Sequence, residues 1–85
     1  MKKEYVVKDT IINLDNHTIL VYYHGKDDYV HDFIEYADGW KYRKSAERYI
    51  EEDMNHTWNK RIDDNHCIES NKWLHHYEII ERDAE

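Results

Sequence analysis

The sequence predicts an α+β fold, in which an antiparallel β-sheet packs against one amphipathic helix in the order β-β-β-α-β. Two observations lead to this class. Runs of β-branched and aromatic residues precede residue 37, and one apolar stripe with a four-residue spacing follows residue 45. The length of 85 residues indicates a single domain, residues 1–85, with a small core.

Two β-strands are expected at the start of the chain. Residues 5–14 are rich in Val and Ile, and residues 19–23 are all apolar or aromatic. Between them, Asp15 and Asn16 are residue types that tolerate positive φ, so a tight hairpin turn is expected at residues 14–17. The second strand is apolar on both faces. It is therefore expected at the centre of the sheet or at an interface, and it would permit a homodimer.

A third strand is expected at residues 29–36. Its alternation places Val30, Ile34 and Tyr36 on one face. The segment 37–40 contains Gly39 and is expected to end this strand with a turn.

The helix is expected at residues 45–62, with Ser45 as its N-cap. Its apolar stripe consists of Ala46, Ile50, Met54, Trp58 and Ile62. Three residues of the stripe are expected to be buried against the sheet: Ile50, Met54 and Trp58. Their expected packing partners are residues of the second and third strands: Ile19, Val21 and Ile34.

The segment 72–81 permits two interpretations. As a strand, it places Trp73, His75, Tyr77 and Ile79 on one face. As a helix capped by Ser70, it places Trp73, Leu74, Tyr77 and Ile80 on one face. The run Tyr-Glu-Ile-Ile favours the strand because of its β-propensity, although periodicity leaves both interpretations open. The preceding residues 63–71 are expected to form a polar loop.

Charge and composition limit the classes of partner. Twelve basic and nineteen acidic residues give a net charge of −7. This surface repels phosphate backbones, so direct nucleic-acid binding is not expected, whereas a basic protein surface would be attracted.

The single cysteine, Cys67, cannot form an internal disulfide, which favours a cytoplasmic location. The longest apolar run, residues 19–23, is too short for a membrane span, and no signal peptide is expected.

Histidines and the cysteine define the alternative function, a small metal-binding or Cys/His-dependent enzyme. Its residues would be His56, His66, Cys67, His75 and His76. In a strand, His75 and His76 would point to opposite faces, so one metal ion could not readily bind both. The chain has no Cys-x-x-Cys or His-x-x-x-His pair. Neither a metal nor a cofactor is therefore expected, and no catalytic residue is assigned.

The segment 26–38 is the predicted partner-binding site. Its carboxylates would steer a basic protein towards the chain: Asp27, Asp28, Asp32, Glu35 and Asp38. Three aromatic residues are the candidate anchors: Tyr29, Tyr36 and Trp40. Because spaced carboxylates beside aromatic groups can imitate a phosphate backbone, we expect a non-enzymatic module that binds a basic, nucleic-acid-handling protein. The alternative is that the acidic face only keeps the domain soluble.

Two segments carry a resemblance to known proteins. Residues 44–51, Lys-Ser-Ala-Glu-Arg-Tyr-Ile-Glu, and residues 77–81, Tyr-Glu-Ile-Ile-Glu, resemble short phage-encoded proteins with a strand meander, one helix and a final strand. Phage inhibitors of host defence, including anti-CRISPR proteins, are similar to this chain in size and acidity. The resemblance implies a small protein that acts by binding another protein, and it assigns no functional residue.

Overall fold

A six-stranded antiparallel sheet with one helix on one face forms the fold, which confirms the predicted α+β class. The computed structural model describes residues 2–27, 29–56, 59–63 and 66–84. Within these ranges the elements are β1 (Lys2–Asn13), β2 (Ile19–His24), β3 (Val30–His31), a 3₁₀ turn (Ile34–Tyr36), α1 (Arg43–Met54), β4 (Asn59–Asp63), β5 (Cys67–Ser70) and β6 (Trp73–Ala84). The strand order across the sheet is β3-β2-β1-β6-β5-β4. No helix in the described ranges is long and apolar enough to cross a membrane.

The ladder between β1 and β6 is the centre of the sheet. Its register runs from Lys2 opposite Ala84 to Asn13 opposite Trp73, so both strands are paired over 12 residues. The strand interpretation of residues 72–81 is therefore confirmed, and the strand extends to Ala84. The long ladder also makes the molecule elongated, with a longest extent of 43 Å.

The hairpin turn between β1 and β2 lies where the sequence predicts it. Asn13 Oδ1 accepts hydrogen bonds from the backbone amides of Asp15 and Asn16, at 2.9 and 3.1 Å. Asn16 Oδ1 in turn accepts a bond from the Thr18 amide at 2.9 Å. The residue with positive φ, at 63°, is His17 rather than an Asp or Asn. The side-chain amides thus form an Asx-type turn that fixes the register of the hairpin.

The predicted third strand, residues 29–36, is wrong for most of its length. Only Val30 and His31 pair with β2, and the chain then turns into a 3₁₀ conformation at Ile34–Tyr36. Arg82 competes with strand pairing here, because its guanidinium group donates hydrogen bonds to the carbonyls of Ile34 and Ala37. These carbonyls bond to a side chain rather than to a strand ladder.

The predicted bounds of the helix are also wrong. The helix spans Arg43–Met54, whereas residues 45–62 were expected, and Tyr42 rather than Ser45 is its N-cap. Ser45 cannot precede the helix, because its amide already donates to the carbonyl of Tyr42 at 3.1 Å within the first turn.

The helix ends at Met54, and one of its C-terminal carbonyls is satisfied from outside the helix. Asn59 Nδ2 donates to the carbonyl of Asp53 at 2.7 Å, so a side chain outside the helix satisfies one of the groups that a helix end exposes. Ile62 lies on β4 and is 49% exposed, and Trp58 lies outside the described residues.

The predicted polar loop at residues 63–71 contains a strand instead, so the expected β-β-β-α-β order lacked two strands. β5 pairs with β6, and β4 pairs with β5 through a register that shifts between Arg61 and Asp63. Ile68 is the buried hydrophobic residue of β5, at 1% exposure. One apolar residue in a four-residue strand gives no period-two pattern, which is why the sequence did not indicate it.

The core lies between α1 and the centre of the sheet. Its buried residues are Val7, Ala46, Ile50, Met54, Ile68 and Tyr77, and Tyr5, Trp40, Tyr49 and Ile79 pack against them. The predicted burial of Ile50 and Met54 is thus confirmed. The predicted packing partners were wrong: Ile34 is outside the core cluster, and Ile19 and Val21 are 62% and 37% exposed. β2 lies nearer the sheet edge, whereas the helix contacts β1, β6 and β4.

The helix covers only part of the sheet face. A helix of 12 residues is about 18 Å long, whereas a strand of 12 residues is about 40 Å long. The helix therefore cannot cover the full length of β1 and β6 on this face.

Ile50→Ala should lower the free energy of unfolding by about 2–5 kcal/mol, because a fully buried side chain is replaced by a cavity. Urea unfolding followed by tryptophan fluorescence measures the change. Ile19→Ala is the control and should cost less than about 0.5 kcal/mol, since Ile19 is mostly in solvent. Equal losses in the two variants would contradict this position of the core.

Candidate functional site

The predicted site residues lie on or beside one excursion of the chain, residues 26–38, which we call the acidic loop. It leaves the sheet at the β2–β3 pairing, forms the 3₁₀ turn and returns to β1 at Trp40. The described members of the predicted site within the loop are Asp27, Tyr29, Asp32, Glu35, Tyr36 and Asp38. Asp28 belongs to the same segment of sequence but lies outside the described residues.

Backbone contacts close the base of the acidic loop. The amide of Lys26 donates to the carbonyl of Asp38 at 2.8 Å. Gly25 lies against the same residue so closely that an added Cβ would stand 2.2 Å from the Asp38 carbonyl oxygen, a separation that only glycine permits. Tyr5 and Trp40 exchange two backbone bonds of 2.8 Å just beyond. The two ends of the loop are therefore held together and joined to β1.

Arg82 of β6 holds the middle of the acidic loop. Its Nη1 and Nη2 atoms donate to the carbonyls of Ile34 and Ala37, and its Nε atom donates to Glu4 Oε1. The planar guanidinium group presents these donors in a fixed fork, which a flexible ammonium group could not reproduce. Ala37 is 2% exposed at this point. This arrangement, the Arg82 clamp, ties the loop to the sheet face opposite the helix.

Large apolar side chains of the acidic loop face solvent. Tyr29, Phe33 and Tyr36 are 71%, 61% and 68% exposed, and Val30 is 56% exposed. Phe33 and Tyr36 form an edge-to-face pair with ring centroids 6.0 Å apart. Phe33 was not among the predicted anchors, although it is exposed and pairs with Tyr36.

The carboxylates of the acidic loop differ in their hydrogen-bond and ion-pair partners. Asp27 accepts a hydrogen bond from His31 Nε2 at 2.7 Å, and this bond holds the pKa of Asp27 below its ordinary value. Asp38 lies 3.9 Å from Lys26 Nζ in an exposed ion pair. Asp32 and Glu35 are exposed. The outward negative charge of the described loop residues is therefore concentrated at Asp32 and Glu35.

Trp40 is part of the scaffold rather than of the exposed surface. It is half-buried, packs against the core and lies 5.1 Å from the ring of Tyr49, measured between centroids. The predicted anchor Trp40 therefore supports the base of the acidic loop, in contrast to the exposed Tyr29 and Tyr36.

A buried polar network lies on the helix face of the sheet. Asp9, 3% exposed, accepts hydrogen bonds from His24 Nε2 at 3.2 Å and from His75 Nδ1 at 3.1 Å. Tyr49 donates its hydroxyl to His24 Nδ1 at 3.0 Å. Burial alone would raise the pKa of Asp9, but the bonds from the two imidazoles and their charge outweigh it and hold the pKa below its ordinary value. No sequence pattern indicates this network, since Asp9 is 15 residues from His24 and 66 residues from His75.

A second buried contact joins the helix to β6. Tyr77, which is 1% exposed, donates its hydroxyl to Asp53 Oδ2. Burial, together with the bond to Asp53, raises the pKa of Tyr77 well above its ordinary value, so the hydroxyl keeps its proton. A protonated tyrosine at this position can act only as the donor to Asp53, which orients the carboxylate at the end of α1.

The residues of the alternative enzyme hypothesis are divided between the two faces of the sheet. Cys67 Sγ lies 3.0 Å from His76 Nδ1 on the face opposite the helix, whereas His75 bonds to Asp9 on the helix face. His66 adopts a positive φ of 61° in the turn before β5. Among the described residues, no group of three or more His, Cys, Asp or Glu side chains is arranged to hold a metal ion.

Comparisons of the chain with protein-family models, with curated proteins and with solved structures returned no match.

Asp9→Asn should lower the free energy of unfolding at neutral pH by about 1–3 kcal/mol, because the buried imidazole of His24 and the half-buried imidazole of His75 lose a charged acceptor. Since the folded pKa of Asp9 is depressed, its contribution is present above the unfolded pKa of about 3.9 and is lost as the pH falls through the folded value. The difference between wild type and variant in urea unfolding should therefore shrink as the pH falls below about 4. A constant difference would contradict the assignment. The exposed Asp15→Asn serves as the control.

Arg82→Lys should loosen the acidic loop without unfolding the core, because one ammonium group cannot span two carbonyls and a carboxylate. Hydrogen exchange followed by mass spectrometry should show amides of residues 32–38 exchanging at least about tenfold faster, with amides of α1 unchanged. Arg48→Lys, an exposed position on α1, is the matched control. Exchange equal to wild type in residues 32–38 would show that the clamp does not hold the loop.

Proposed function

We propose that the chain is a non-enzymatic protein-binding module whose acidic loop engages a basic surface of its partner. One observation carries the proposal: a loop tied to the sheet by Arg82 presents Tyr29, Phe33 and Tyr36 to solvent beside the exposed carboxylates Asp32 and Glu35.

The clustering of the apolar side chains favours binding over mere solubility. In the described part of the chain, four of the nine exposed large hydrophobic residues fall within residues 29–36. Single exposed apolar residues are normal on a protein surface, but a contiguous group with a polar rim is typical of an interaction site. Tyrosine and other aromatic residues are also enriched among the residues that contribute most to interface energies.

The rigidity of the acidic loop supports the same function. A loop that is ordered before binding does not lose its backbone and side-chain freedom when the complex forms, so more of the contact energy appears as affinity. The closed base at Gly25 and Asp38 and the bonds from Arg82 provide this order.

Charge defines the class of partner. The net charge of −7 and the outward carboxylates favour a basic protein surface, and spaced carboxylates can occupy a cleft that normally holds nucleic-acid phosphates. A nucleic-acid-handling protein of a bacterial host is therefore the proposed target, and the resemblance to phage inhibitors of host defence supports inhibition as the result of binding.

A second candidate function, thiol chemistry, rests on the contact between Cys67 Sγ and His76 Nδ1 at 3.0 Å. An adjacent imidazole can accept the thiol proton and activate the sulfur as a nucleophile. Cys67→Ser distinguishes the two candidates, since it should leave partner binding by the acidic loop unchanged but abolish any thiol-dependent activity.

The test begins with affinity capture from a bacterial lysate, using the full chain as bait, and continues with binding kinetics of the purified partner. Asp32→Asn combined with Glu35→Gln should slow association by about threefold or more at low salt and should flatten its salt dependence. Asp15→Asn combined with Glu69→Gln makes the same change of charge away from the loop and should have little effect. A captured partner that is acidic, or binding that is indifferent to salt, would exclude electrostatic recognition.

The anchors are tested in the same assay. Tyr36→Ala should raise Kd by about tenfold, because it removes an aromatic contact from the centre of the proposed interface. Tyr42→Ala removes a side chain of the same type and similar exposure outside the loop, and it should leave Kd unchanged. If Tyr42→Ala weakens binding as much as Tyr36→Ala, the acidic loop is not the binding site.

A further inference from the structure

The sheet face next to the end of α1 contains a cleft that the protein-binding role does not use. A row of side chains crosses the sheet there, with Leu20 opposite Ile11, Ile11 opposite His75, and His75 opposite Ile68. Two hollows of about 240 and 190 Å³ lie along this row, and His75 forms a wall of both. We call the two together the helix-end cleft. One end is apolar and the other is polar.

The polar end is lined by six polar side chains, those of Asp53, His56, Asn59, Ser70, His75 and Tyr77, and the Tyr77 hydroxyl donates to Asp53. Asn59 Nδ2 donates to the carbonyl of Asp53 at 2.7 Å, so the orientation of the amide is fixed and Oδ1 is an acceptor. Oδ1 is buried, and no donor from the described residues reaches it. The Asp53 carboxylate and Ser70 line the same hollow. A buried acceptor without a donor is costly, which indicates that the hollow suits a hydrogen-bond donor.

His75 adds a further acceptor. Its Nδ1 atom faces the buried Asp9 carboxylate at 3.1 Å, and a carboxylate can only accept, so Nδ1 carries the proton. In the neutral imidazole, Nε2 then carries a lone pair on the opposite edge of the ring. No described residue donates to Nε2. Asp9 is thus the positioning residue that fixes which nitrogen of His75 is available in the cleft.

Electrostatics at this end of the helix favours a cation. The C-terminal end of a helix carries partial negative charge from its aligned peptide dipoles, and the Asp53 carboxylate adds a full charge beside it. The apolar end of the cleft is formed by Ile11, Leu20 and Trp73, which offer an aliphatic and aromatic surface to the body of a ligand.

We propose that the helix-end cleft binds a small primary ammonium compound with an apolar body. An ammonium group has three donors and no acceptor, which matches Asn59 Oδ1, His75 Nε2 and the Asp53 carboxylate. The apolar body lies over Trp73, Leu20 and Ile11. This site is on the helix face of the sheet, whereas the acidic loop is tied across the opposite face, so the two binding functions are independent.

Phenethylamine is the probe for this site, with phenethyl alcohol and phenylacetate as its neutral and anionic counterparts. Two-dimensional amide NMR of the full chain at about pH 8, where histidine is ordinarily neutral, follows each titration. Phenethylamine should bind saturably and at least about tenfold more tightly than phenethyl alcohol, and phenylacetate should not bind. The shifted amides should belong to residues 11, 20, 53, 59, 70, 73 and 75. Equal binding of the alcohol or the acid, or shifts confined to the acidic loop, would overturn the proposal.

His75→Gln should weaken phenethylamine binding by about tenfold, whereas His76→Gln, one residue away on the opposite face, should not. A measurement on the wild-type chain keeps the test valid if His75→Gln does not fold. Nitrogen-15 spectra of the imidazoles should show His75 protonated at Nδ1, with its Nε2 resonance moving as the amine is added. Protonation at Nε2 in the neutral ring, or an Nε2 resonance that does not move, would exclude His75 as an acceptor for the amine.

Discussion

The pairing of β1 with β6 over 12 residues is the constraint on which the rest of the structure depends. It fixes the register at the centre of the sheet, and with it the face to which every side chain of both strands points. Val7 and Tyr77 thereby reach the helix, and Asp9 comes to lie beside Tyr77 and within reach of His75. A shift by one residue would turn these buried groups to the opposite face.

The two faces of β6 serve different parts of the molecule because its side chains alternate. Arg82 is on the face opposite the helix, where it holds the acidic loop, and His75 is on the helix face, where Asp9 orients it. β6 thus supports both the acidic loop and the helix-end cleft, but it does so through different side chains. The position of each depends on the same register, although their chemistry is separate.

Local patterns in the sequence predict what local physics decides. The four-residue spacing of Ala46, Ile50 and Met54 indicates the helix and its buried face, and β-propensity favours a strand at residues 72–81. The contact that satisfies the end of the helix could not be predicted, because its donor, the side chain of Asn59, lies on β4. The loop conformation at residues 32–37 likewise depends on Arg82, which is 48 and 45 residues away from its two acceptors. Contacts of this kind have no period and no spacing in the sequence.

The central ladder also determines how the chain can fold. It joins residues that are separated by 60 to 82 positions, from Asn13 with Trp73 to Lys2 with Ala84. Closing such long loops costs conformational entropy before the contacts that offset this cost have formed, so a ladder of this kind forms slowly and late. The hairpin of β1 with β2 and the meander from β4 to β6 are local and can form first. During synthesis on the ribosome, β1 therefore has no partner for its inner edge until β6 emerges, and this edge is the part of the nascent chain most open to wrong pairing.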